Sequence, residues 1–148
     1  MRRNVARGFT LIEVLIALGI MAILGALVYP TYQGAVRKAK RAEARAALLR
    51  LMQQQERYYT QRTTYLAFSA DSIDPDAKRF QWFSGDNPAA SAYEIRGTPC
   101  PGETLQTCIV LSARPGTARV NTAFIDTECG ELSFSSSGIK TPARPDCW

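Results

Sequence analysis

The sequence predicts an α+β protein in which one long N-terminal helix packs on a small antiparallel sheet, with a disulfide-closed C-terminal region. Three observations carry that prediction. Residues 9–29 hold a single charge, Glu13, in 21 positions, and residues 35–57 contain no Gly or Pro. Beyond residue 90, short runs rich in β-branched and aromatic residues are bounded by Gly, Pro or Ser. All four cysteines, at 100, 108, 129 and 147, lie in the last third of the chain.

The first element is a short basic leader, residues 1–8, with three arginines and no acid. The apolar run 9–29 follows. At ~1.5 Å per residue it reaches roughly 30 Å, the thickness of a bilayer core, which points to a transmembrane helix. An ordinary secretory signal has a shorter apolar region and a small-x-small cleavage site, and no convincing site follows this run. Glu13 is the exception within it. A carboxylate inside a spanning helix costs roughly 2.5–3.5 kcal/mol, so it marks either a functional residue or an interfacial one. Ala22 and Ala26, four apart, allow close helix approach.

Pro30 and Gly34 mark an expected kink or locally melted turn. Residues 30–60 then read as an amphipathic helix. Leu48, Leu51, Met52, Gln55 and Tyr59 recur at spacings of three and four and define one face. Arg37, Lys38, Arg41, Arg45 and Arg50 are expected largely off it. Sustained heptads are lacking, which disfavours a coiled coil. By the positive-inside rule alone, the cations that follow the apolar run would place the C-terminal side in the cytoplasm.

Residues 61–148 read as a globular region. Asp74-Pro75-Asp76 and Ser84-Gly85-Asp86-Asn87-Pro88 are turn-forming. Between them, Lys78-Arg79-Phe80-Gln81-Trp82-Phe83 could stack on nucleic acid, but its aromatics more simply pack beneath a loop. Strands are expected at 92–96, 108–113 and 131–135, with a weaker fourth at 120–125. Four cysteines permit three pairings. A zinc site would want a closer pair than the Cys-x7-Cys found here.

Composition limits the chemistry. The chain has 148 residues, 18 Lys+Arg, 13 Asp+Glu and no histidine. That excludes Ser-His and Cys-His catalysis and His-ligated metals. With no phosphate loop or informative carboxylate pair either, no catalytic residue, metal or cofactor is expected, and Ser135-Ser136-Ser137-Gly138 reads as a turn. The net charge of +5 suggests nucleic acid, yet residues 61–148 carry eight Lys+Arg against ten Asp+Glu, a net of −2.

Gly8-Phe9-Thr10-Leu11-Ile12-Glu13, behind the basic leader and ahead of the apolar helix, resembles the type IV prepilins. The resemblance implies the type IV pilin fold and a leader removed between Gly8 and Phe9 by a prepilin peptidase. It also implies N-methylation of Phe9, and Glu13 registering subunits during filament assembly. Together with the cysteines it favours export of the C-terminal side, against the positive-inside count. The implied location is the inner membrane before assembly and then an extracellular pilus of a Gram-negative bacterium, with other pilin subunits as partners. Gln55-Glu56-Arg57-Tyr58-Tyr59, Cys129-Gly130-Glu131-Leu132 and Asp146-Cys147-Trp148 look most like PilE-like, ComP-related minor pilins.

Disulfides are then expected as Cys100–Cys108 across a hairpin loop and Cys129–Cys147 at the tail. The second matches the family's cysteine-bounded C-terminal segment, 129–147. The expected function is a structural subunit serving pilus biogenesis, twitching or adhesion. One alternative is a DNA-receptor minor pilin, with Lys78, Arg79, Arg114, Arg119, Lys140 and Arg144 as candidate contacts. The other is a type II secretion pseudopilin. Removing the leader lowers the charge to +2, with 15 basic and 13 acidic side chains.

Overall fold

Thr10 opens the first element. Its hydroxyl accepts a hydrogen bond from the Glu13 N–H at 3.4 Å and its carbonyl accepts a second at 3.1 Å, as a helix N-cap does. The computed structural model describes residues 9–148, apart from the side chains of residues 27–31. The leader 1–8 lies outside the described residues, Gly8 included.

Helix α1 runs Leu11–Arg62 without a break. The locally melted turn expected at Pro30 and Gly34 does not occur. Proline removes one N–H from the ladder, but the flanking helix formers keep the remaining backbone bonds cooperative. The helix stops where Thr63 takes φ 55° and its N–H bonds the Tyr59 carbonyl at 2.8 Å. Two compact units divide it, the second being Ala39–Trp148. Among the described residues no helix is long and apolar enough to cross a membrane. The segment expected to span, 9–29, runs into residues 27–31, whose side chains lie outside the description.

The second unit holds a four-stranded antiparallel sheet in the order β1 (Tyr93–Pro99), β2 (Ile109–Pro115), β3 (Leu132–Ser135) and β4 (Lys140–Thr141). Alternation along β1 sends Tyr93 and Ile95 inward and leaves Arg96 and Thr98 exposed. The register sets Glu94 opposite Arg114 and Arg96 opposite Ser112. Inward-facing Tyr93, Ile95, Leu111, Ala113 and Leu132 join Ala44, Ala47, Leu48, Leu51 and Met52 of α1 in one core. Gln55 is buried as well, and its amide makes two hydrogen bonds to the backbone of Leu66.

Both sheet edges are protected. Phe68 bridges to Gly97 and Phe83 to Glu94, covering β1. At the far edge β4 is only two residues long and Pro142 follows it. Gly97 is needed at its position, because a Cβ there would come within 2.7 Å of the Phe68 ring.

The expected fourth strand at 120–125 is not a strand. Asn121 organises a turn instead: its side-chain oxygen accepts the Ala123 N–H and its carbonyl accepts the Phe124 N–H. Val120 is buried, and Phe124 packs on the Tyr93 ring at 5.3 Å. The apolar residues that suggested a strand are anchors for a loop. In the 78–83 cluster, Phe80 is buried and stacks on Phe68 at 5.2 Å, while Lys78 and Arg79 are exposed.

Candidate functional site

Three places carry the chemistry. The first is the start of α1. Phe9 is 82% exposed, and the large apolar residues from Leu11 to Leu24 are exposed around the whole helix. A helix that is apolar on every side is made to be covered by lipid or by other helices. Glu13 stands three residues after the Thr10 cap, in the first turn. A carboxylate there is favoured by the free N–H groups and the helix dipole, a local reason for an acid that patterning alone did not supply.

The second is a buried polar cluster that ties α1 to the C-terminal segment. Arg41 was expected off the apolar face, yet it is 1% exposed. Its Nε and one terminal nitrogen donate to the two Asp126 oxygens at 2.6 and 2.5 Å, and the same terminal nitrogen reaches Glu128 at 2.7 Å. Tyr93 donates its hydroxyl to Asp126 at 2.7 Å. The backbone N–H groups of Glu128 and Cys129 close the set on Asp126 Oδ1.

Burial alone would push the Asp126 carboxyl up. Hydrogen bonds from Arg41, Tyr93 and the Cys129 N–H outweigh it and hold the group at about 2. Burial, reinforced by the neighbouring carboxylate, pushes the Tyr93 phenol well above its ordinary value. Arg41 is held protonated by Asp126 in spite of its burial. The signal for Arg41 lay in its spacing, three residues before Ala44 and seven before Leu48, on the face those residues bury.

Beside this cluster Cys129 is bonded to Cys147, and Cys100 to Cys108 across the β1–β2 connection. Trp148, at the tail, donates its indole N–H to the Thr141 carbonyl at 3.0 Å.

The third place concerns the basic residues, which are not gathered into one surface feature. Lys78 and Arg79 lie on a short 3-10 turn, Ala77–Arg79, with Arg79 3.5 Å from Asp76. Lys140 sits over the Phe134 and Trp148 rings at 5.7 and 5.4 Å. Arg144 donates to the Glu128 carbonyl at 2.8 Å. Arg114 and Arg119 do converge. With Arg96, which the sequence reading passed over, they line a cleft of about 270 Å³ together with Glu94, Thr117 and Ala118. Arg119 contacts Asp71 at 2.7 Å and Glu94 at 3.8 Å.

Comparison with known proteins adds to this geometry. The family described as "Type IV minor pilin ComP, DNA uptake sequence receptor" matches residues 30–133. The "Prokaryotic N-terminal methylation motif" matches residues 3–29. A solved structure of a type IV pilin from Shewanella oneidensis is 25% identical and covers 76% of this chain and 97% of its own, with a TM-score of 0.48. No curated protein matches.

Proposed function

The chain belongs to the type IV minor pilin ComP family, and on that premise we propose that it is a minor subunit of a type IV pilus, assembled into the filament through the N-terminal half of α1. The family is structural rather than enzymatic. One observation carries the assembly role: apart from Glu13, the helix from Leu11 to Leu24 is apolar on all sides, and it is exposed in the single chain. Lipid covers it before assembly and neighbouring helices cover it afterwards, so incorporation exchanges one apolar environment for another.

In this reading a prepilin peptidase cuts between Gly8 and Phe9, and the new Phe9 amine is methylated. Residues 9–29 hold the protein in the inner membrane, Pro30 and Gly34 give the helix room to bend, and residues 61–148 stand outside the membrane. Glu13 neutralises the Phe9 amine of a neighbour. An apolar surrounding strengthens such a pair and makes an unpaired carboxylate costly, which selects the correct register. Glu13→Ala is expected to insert in the membrane normally but to be depleted from sheared pili. Wild-type levels of the variant in the pili would refute the role.

A second reading, reception of DNA, is favoured by the description of the family and by the three-arginine cleft on the outer face of the sheet. It treats phosphate contacts as the source of affinity.

A further inference from the structure

We propose that the cleft lined by Arg96, Arg114 and Arg119 is a phosphodiester-binding site for duplex DNA, and that Asp71 competes with the DNA for it. The proposal rests on the DNA-reception reading and adds a place and a control to it. Of the six cations that sequence alone put forward, only Arg114 and Arg119 line this cleft.

The sheet explains why these side chains meet. Arg96 on β1 faces Ser112 on β2, and Arg114 lies two residues beyond Ser112 on the same face. Diagonal neighbours of this kind are ~7–8 Å apart, within reach of long side chains. Arg119 joins them from the turn after β2. The cleft lining therefore holds three guanidinium groups and one carboxylate, Glu94. Carboxylates of this chain already partner two of the three, Glu131 beside Arg96 and Asp71 and Glu94 beside Arg119, and guanidinium forks match phosphate oxygens in the same geometry.

The three arginines differ in how firmly they are held. The Arg114 side chain is exposed and, among the described residues, makes no hydrogen bond or ion pair. Arg96 donates to the Ser112 hydroxyl at 3.2 Å and stands 3.8 Å from Glu131, leaving donors for a ligand. Arg119 is the engaged one. Asp71, 48 residues earlier in the chain, accepts from it at 2.7 Å. Asp71 is carried on a turn in which the Ser69 hydroxyl accepts the Asp71 N–H and the Ser69 carbonyl accepts the Ser72 N–H. A preformed turn thus presents an internal carboxylate where a phosphate would bind. The pair is solvent-exposed, so a polyanion can displace it at modest cost.

The test uses the full-length protein in detergent and a short fluorescent duplex of mixed sequence, with anisotropy read between roughly 50 and 200 mM salt. Arg114→Ala is expected to reduce the slope of log affinity against log salt by about one. Asp71→Asn is expected to tighten binding by roughly two- to fivefold at low salt. Arg79→Ala, which removes a cation outside the cleft, is expected to change neither. Binding by Asp71→Asn where the wild type is silent would equally support the competition.

If the wild type binds and neither Arg114→Ala nor Asp71→Asn departs from it, the cleft is not the site and only DNA reception stands. An effect of Arg79→Ala equal to that of Arg114→Ala would overturn the cleft in favour of diffuse basicity. If neither the wild type nor Asp71→Asn binds, the DNA reading fails and takes this proposal with it.

Discussion

Arg41 lies on the face of α1 that carries Leu48, among side chains chosen for burial, and it is tolerated there because Asp126 and Tyr93 meet it. Removing one partner of a buried pair leaves an uncompensated charge, so Asp126→Asn should cost about 3–5 kcal/mol. Chemical denaturation of the full chain in detergent would measure it. The same carboxylate makes stability depend on acid. Its pKa falls from an ordinary ~4 when unfolded to about 2 when folded. Its contribution is therefore complete above pH ~4 and is lost as pH falls through 2, roughly 2–3 kcal/mol in all. The Asp126→Asn variant should lack that dependence. Tyr93 acts at the other extreme. With its pKa raised, its contribution is full below pH ~10 and is lost as pH rises beyond.

At the scale of elements, the C-terminal segment has little regular structure to hold it. β4 has two residues, and the tail beyond it is fastened by Cys129–Cys147, the Arg144 contact and the Trp148 indole. Replacing both Cys129 and Cys147 by Ser should cost about 3 kcal/mol in the chain-entropy account. Hydrogen exchange should then rise over residues 136–148, while β1 and β2, paired along seven residues, stay protected. Unchanged protection of the tail would mean that the Arg144 and Trp148 contacts suffice. The helix itself was legible from periodicity, and so were three of the strands. The run 120–125 was misread because Val and Phe serve equally well as strand residues or as plugs under a turn, and only the Asn121 hydrogen bonds separate the two.

For the whole molecule, charge and apolar surface are divided along the chain. Residues 1–8 carry three cations, the helix from Pro30 to Thr60 seven against two acids, and residues 61–148 a net of −2. Basicity in the composition is therefore a poor guide to a DNA-binding face. The proposed DNA site rests instead on the convergence of three arginines on one side of the sheet. Processing has its own readout. Expressed beside a prepilin peptidase, the chain should have an intact mass lacking residues 1–8 and gaining one methyl group. Without the peptidase the leader should remain. An uncleaved chain in the presence of an active peptidase would refute the Gly8–Phe9 assignment.

Sequence by itself determined what depends on neighbours in the chain: the apolar run with its single acid, the amphipathic helix, the strand-forming runs, and the family resemblance in residues 8–13. These signals are local, because periodicity, turn chemistry and short motifs all act within a few residues. Tertiary structure decided the rest. It placed Arg41 against Asp126, 85 residues away, set Asp71 on Arg119 across 48, and brought Arg96 beside Arg114 through strand register. A charged side chain is paired, buried or free according to what the fold carries to it, and that partner lies outside any local pattern.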